Sequence, residues 1–165
     1  MRITEPSTAD EFAGYYALRW KILRAPWKQP RGSERDDMED SSHHLMVVDH
    51  DDRIVAVGRL QFNNIREAQI RYMAVAINAQ RRGIGSRLLL ALEQRARELG
   101  ASRVVLDARE QALRFYRKHD YVVHGPGHTL FNAVTHIKMT KTFDHQARQP
   151  SAPGPADREN PSPAK

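Results

Sequence analysis

The sequence predicts a mixed α/β (α+β) domain built around one central sheet. Three observations carry this. Apolar runs of strand length alternate with amphipathic stretches of helical period. Turn residues separate them. The whole pattern fits within residues 1–143 of a 165-residue chain, a length that suits a single domain. Residues 144–165 carry five of the nine prolines and no large apolar side chain, so they are expected to form a disordered Pro-rich tail.

The elements follow in order. "RIT" at Arg2–Thr4 reads as a short edge strand. Thr8 and Glu11 have capping-box spacing, and the helix they open carries Phe12, Tyr15, Tyr16, Ile22 and Leu23. Pro26, Pro30 and Gly32 end it, and a polar loop containing "ERDDMED" runs to Ser42. "HLMVVD" (His44–Asp49) and "RIVAVGRLQF" (Arg53–Phe62) form a hairpin about a polar turn, and "AQIRYMAVAI" (Ala68–Ile77) is a third long strand. A helix over Gly83–Leu99 places Ile84, Leu88, Leu92, Ala96 and Leu99 on one face, with Gly100 at its C-cap. A strand at Arg103–Ala108, a helix at Gln111–His119, and strands at "YVVHG" and "AVTHIKMT" complete the domain. No internal repeat is present.

Composition narrows the function. The net charge is +6, and the last 22 residues sum to zero, so all the excess lies in the domain. A basic domain suits nucleic acid or a smaller phosphate-bearing ligand. The chain has no cysteine, which excludes disulfides, thiolate metal sites and a cysteine-borne intermediate. No apolar run approaches the roughly 18 residues of a membrane span, and the N-terminus shows no apolar signal segment. A cytoplasmic protein without a membrane partner is expected. His43 and His44 are adjacent and would point to opposite faces of a strand, and no H-E-x-x-H pair occurs, so no metal is expected.

The strand-to-helix junction "QRRGIGS" carries the strongest signal. The first turn of a helix leaves backbone N–H groups unpaired, and with the helix dipole these form an anion site. Gly83 and Gly85 let an anion approach the backbone, and Arg81, Arg82 and Arg87 add charge. The implied ligand is a phosphate or a diphosphate. The Rossmann fingerprint fails because Leu88 stands at its third glycine, and the P-loop fails for want of a lysine. The same glycines also suit a plain tight turn.

About thirty residues after this loop comes "ALRFYRKHDY" (Ala112–Tyr121). The pair, in order and spacing, resembles the GNAT superfamily of acyl-CoA-dependent N-acyltransferases. Gln80-x-x-Gly83-x-Gly85 is similar to its pyrophosphate loop, and the second segment is similar to its A-x-x-F-Y helix-to-strand motif. The resemblance implies a mixed, mostly antiparallel sheet split by a bulge and flanked by about four helices. It implies acetyl-CoA as co-substrate, with the pyrophosphate held by Gln80, Arg81, Arg82, Gly83, Ile84, Gly85 and Ser86. The pantetheine arm would pair with Met73, Ala74 and Val75, with the strand Arg103–Ala108 as the other wall. Asp120 stands where the family has glycine, and aspartate tolerates the left-handed conformation that the turn requires.

The family often assigns protonation of the leaving thiolate to the tyrosine of the F-Y motif, here Tyr116. Adjacent helical residues point about 100° apart, so Tyr116 is expected to face the cleft while Phe115 packs in the core. Several members carry a glutamate base eleven residues before the loop glutamine, and that position is Gln69 here. An amide cannot accept the proton. Glu34, Glu39, His43, His44, Glu110 and His136 are alternative bases, and a water relay needs none. Trp20, Trp27 and the acidic loop are expected to cover an acceptor site for a small-molecule or peptide amine, the acidic run either attracting a cationic amine or standing solvated. A non-catalytic acyl-CoA-binding module is the alternative. Nucleic acid is not expected, because the arginines cluster at the phosphate loop rather than on a groove-reading helix. A homodimer is left open.

Overall fold

The computed structural model describes residues 1–144, so the expected tail, Asp144 apart, lies outside the described residues. Seven strands form one sheet: β1 (Arg2–Thr4), β2 (His43–Val48), β3 (Ile54–Phe62), β4 (Glu67–Val75), β5 (Arg103–Arg109), β6 (Val122–Leu130) and β7 (Val134–Thr142). Their spatial order is β1-β2-β3-β4-β5-β7-β6. All neighbours are antiparallel except β4 and β5, which run parallel. Among the described residues three α-helices flank the sheet: α1 (Ala9–Leu23), α2 (Ile84–Glu98) and α3 (Leu113–Lys118). This is one fewer than the resemblance implies. Between α1 and β2 the chain makes only a 3₁₀ turn at Ala25–Trp27, because Pro26 and Pro30 remove donors and Lys28 and Gly32 take positive φ.

Local chemistry sets the helix ends. Thr8 caps α1, accepting from Glu11 N–H at 3.1 Å while the Glu11 carboxylate accepts from Thr8 N–H. At the end of α2, Gly100 at φ +94° lets its N–H reach Arg97 O while Ala101 N–H reaches Ala96 O. The two faces of the sheet bury different things. On one face Leu88, Leu89 and Leu92 of α2 are fully buried against Leu45, Leu60, Ile70 and Leu106, each leucine worth about 1.5–3 kcal/mol of burial. On the other, Tyr15 and Tyr16 of α1 pack on Met46, Val48, Val57 and Ala74.

The sheet is split at its centre. Between β3 and β4 the register runs from Val57↔Ala74 to Arg59↔Arg71, so Tyr72 and Met73 together oppose Gly58. Tyr72 has φ +56°, a conformation that a bulky residue rarely adopts. β4 and β5 pair only at Glu67↔Arg103, Ala68↔Val104 and Gln69↔Val105, and then separate. The expected bulge and the expected opening are therefore both present.

A buried charge network stands behind the bulge. Arg19 and Arg59 are fully buried, and each donates to Glu39 Oε1 at 2.7 Å. Arg59 also donates to both Asp36 oxygens, at 2.6 and 2.9 Å. Tyr72 donates its hydroxyl to Asp36 at 3.1 Å and lies 4.5 Å from the Arg19 guanidinium. Burial opposes the charge on Asp36, but the Arg59 hydrogen bonds, with help from Met38 N–H and Tyr72, hold its carboxyl well below the usual range. Glu39 and Asp36 thus neutralise two desolvated cations. Glu39→Ala is expected to lose about 3–5 kcal/mol in urea unfolding, because it strands buried charge. A loss below about 1 kcal/mol would show that the network is not structural.

Candidate active site

The split opens a cleft of about 1000 Å³, walled by residues 69–75 of β4 and 106–109 of β5. Gln80, Arg81, Gly83, Gly85 and Ser86 line one mouth. The loop there presents open backbone donors at the start of α2. Gln80 Nε2 donates to Val75 O at 3.1 Å, tying the loop to β4. Arg81 at φ +60° and Gly83 at φ +75° turn the chain into α2, whose N-terminus has no side-chain cap. A Cβ built at Gly83 would meet nothing within 4 Å, so the space before the unpaired N–H groups is open. Gly85 needs no special φ; its bare Cα faces Phe115 and Val75, each 3.6 Å from a built Cβ. Ser86 Oγ lies 3.0 Å from His119 Nε2.

Two loop residues differ in kind from the others. The Ile84 side chain is buried in the core, leaving only its main chain to serve a ligand. Arg82 is exposed and does not line the cleft. Met73, Ala74 and Val75 all line it. Beyond Gln69, β4 has no ladder partner in β5 among the described residues, so that edge is free to pair with an extended arm.

Tyr116 lies in the α3 wall of the cleft, and its hydroxyl points at Met73 Sδ, 3.8 Å away across the bulge. Burial pushes its phenol up to about 12. Phe115 packs against the core, as expected, and its ring also lines the cleft. Helix α3 is a single short run of six residues, and both rings reach the cleft, 5.0 Å apart and edge to face. Asp120 holds φ +67°, the turn expected of it.

Most of the alternative bases fall away. Glu39 is committed to two arginines, and the Glu34 carboxylate accepts from Gly32 N–H at 2.7 Å. His44 is buried between Tyr15 and the Glu39 carbonyl. His43 faces Phe62 in a separate shallow depression, and Glu110 is exposed outside the cleft lining. Gln69 lines the cleft, as an amide. His136 is the candidate that the fold brings in. Its Nδ1 lies 3.1 Å from both the His128 and Val134 carbonyls, so it carries the proton, and Nε2 is left as the lone pair. Nε2 has no partner among the described residues. Burial first, then the neighbouring His128, pulls His136 below the ordinary imidazole value.

The acceptor end also departs from expectation. Trp20 and Trp27 do not line the cleft; Trp20 donates to Gln29 O at 3.0 Å and braces the loop. Neither does any residue of the acidic run, of which the buried Glu34 and Glu39 and the half-buried Asp36 turn inward. Arg24, Arg71, Asp107, Arg109 and His128 stand there instead. The signal for two of them was legible: in "VVLDAR" the buried strand turns polar at every second residue, Asp107 and Arg109. Among the described residues no group of side chains can hold a metal ion, and no helix is long and apolar enough to cross a membrane.

Comparison with known proteins shows the family. The model of the acetyltransferase (GNAT) family matches residues 12–121. The uncharacterized N-acetyltransferase YjcF of Bacillus subtilis (strain 168) is 31% identical over 141 residues, covering 86% of this chain and 99% of that protein. Among solved structures, an acyl-CoA N-acyltransferase from Pseudomonas aeruginosa has the same fold with a TM-score of 0.72 at 22% identity, over 86% of this chain and 97% of that one. An aminoglycoside 6′-N-acetyltransferase complexed with coenzyme A superposes with a TM-score of 0.71 at 19% identity, again over 86% and 97%. The chain belongs to the acetyltransferase (GNAT) family.

Proposed function

We propose that the cleft transfers an acetyl group to a primary amine by direct attack, with acetyl-CoA and the amine bound together. Membership of the family makes the chain an acyl-CoA N-acyltransferase with acetyl-CoA as co-substrate. The observation that carries the direct-attack reading is the split between β4 and β5. It joins a donor side, lined by Tyr116 and the Gly83 loop, to an acceptor side lined by His136.

Acetyl-CoA supplies the acetyl group as a thioester; the residues supply placement and protons. The Gly83 turn and Arg81 hold the diphosphate. The free edge of β4 over Met73, Ala74 and Val75 pairs with the pantetheine arm, and its N–H groups polarise the carbonyl. His136 Nε2 accepts the proton of the attacking amine. Tyr116, kept protonated by its raised pKa, donates to the departing sulfur, whose own basicity rises in the same desolvated wall. The chain has no cysteine to carry an acyl group between two half-reactions.

Three measurements test this. Initial rates with both substrates varied should give intersecting lines; parallel lines would overturn direct attack. Tyr116→Phe should lower kcat by about 10²–10⁴-fold with acetyl-CoA Kd unchanged, and alkaline pH should not rescue a missing acid. A loss smaller than about tenfold would remove the acid from the scheme. The wild-type kcat/KM should rise with pH and level off once His136 is neutral, at a midpoint below the ordinary 6.5 because its pKa is lowered. His136→Gln should lack that plateau and climb with pH as the amine deprotonates unaided; an unchanged profile would rule His136 out.

A further inference from the structure

We propose that the acceptor amine carries an anionic oxygen group, a carboxylate or a phosphate, seated on Arg24, Arg71 and Arg109 on the α1 face of the split. The proposal rests on the acetyl-transfer reading of the cleft and names the substrate class that the acceptor side fits.

Arg24 is the anchor. It is only 7% exposed and lines the cleft. Its Nε donates to Ser33 O at 3.0 Å and its Nη1 to Leu23 O at 3.1 Å, which fixes the guanidinium but does not neutralise it. No carboxylate among the described residues lies within 4 Å of it. A buried guanidinium without a counter-ion is costly and is found where an anion is to be supplied. Arg109 repeats the pattern. It stands directly opposite His136 in the β5–β7 register, and its side chain makes no hydrogen bond or ion pair with any described residue. Burial, and then repulsion from Arg24, weaken the hold of Arg109 on its proton, and the nearest relief for Arg24 is the faces of the Phe131 and Tyr72 rings, 5.4 and 5.6 Å away, which carry no charge.

The neighbouring carboxylates do not provide that relief. Asp107, the acidic residue in the cleft wall, has its Oδ2 3.2 Å from His128 Nδ1. Arg71 approaches Asp36 only at 3.7 Å, and that carboxylate already accepts from Arg59 and Tyr72. The coenzyme's diphosphate is held on the other face, at the Gly83 turn, and cannot serve both ends. Strand alternation puts Asp107 and Arg109 on the side of β5 opposite Leu106 and Ala108, which pack in the α2 core. An anion seated on the arginines holds its amine beside His136, within the split. The same field repels polyamines and aminoglycosides, which carry only positive charge.

The test uses purified full-length protein with acetyl-CoA and matched amines: lysine against lysinamide, phosphoethanolamine against ethanolamine, with spermidine and an aminoglycoside. A charged hydrogen bond to the arginines should give the member that carries the carboxylate or phosphate at least about a tenfold advantage in kcat/KM over the partner that lacks it. The lysine and phosphoethanolamine arms tell carboxylate from phosphate. Arg109→Gln should bring the ratio of kcat/KM between the two members of each pair down toward one, by raising KM for the anion-bearing amine about tenfold or more, with acetyl-CoA Kd unchanged. Equal or faster turnover of the partners that lack the carboxylate or phosphate, or of the polycationic amines, overturns the proposal, as does failure to acetylate any anion-bearing amine by protein that binds acetyl-CoA in calorimetry. Protein that does not bind acetyl-CoA overturns the acetyl-transfer reading and this proposal with it.

Discussion

Tyr72 is held at φ +56° in the middle of a sheet, and the site depends on that one strained residue. An aromatic side chain reaches this region only when its surroundings over-determine it. Here Asp36 takes its hydroxyl, and the guanidinium groups of Arg19 and Arg59 lie 4.5 and 4.8 Å from its ring. The consequence is geometric. With Tyr72 and Met73 sharing one partner in β3, Arg71 and Tyr72 both face α1, while Met73 turns toward Gly58 and Tyr116. β4 then leaves β5 after Gln69. A regular strand at this point would pair through to Val75 and close the cleft.

The charge network explains why the acidic loop exists. Two fully buried arginines would be unaffordable alone, and Glu39 and Asp36 neutralise them across elements far apart in sequence. Those acidic residues serve the architecture, and on the acceptor side Arg24 and Arg109 have no carboxylate partner among the described residues while Arg71 has only the distant Asp36. The same loop that looked suited to a cationic amine thus leaves the cleft electropositive.

Much of the fold was legible because its signals are local. The Thr8–Glu11 capping box, the period of Ile84, Leu88, Leu92 and Ala96, and the glycine at position 100 each act within a turn or two of chain. The turn into α2 was legible for the same reason: it is a helix N-terminus with a left-handed glycine before it. What could not be read was tertiary. Nothing near Glu39 in sequence shows that Arg19 and Arg59 will claim it, and nothing near His136 shows that β7 will set it opposite Arg109. The 100° between adjacent helical residues does not decide the roles of Phe115 and Tyr116, because both pack against the edge of the core and both line the cleft.

The central claim is that the bulge leaves the edge of β4 free to receive the coenzyme as an added strand. Amide hydrogen exchange with and without acetyl-CoA measures this directly. The account predicts slowed exchange at residues 73–75 and at the Gly83–Ser86 amides, with β2 and β3 unchanged. Protection of the loop amides alone, with residues 73–75 exchanging as in the free protein, would contradict it.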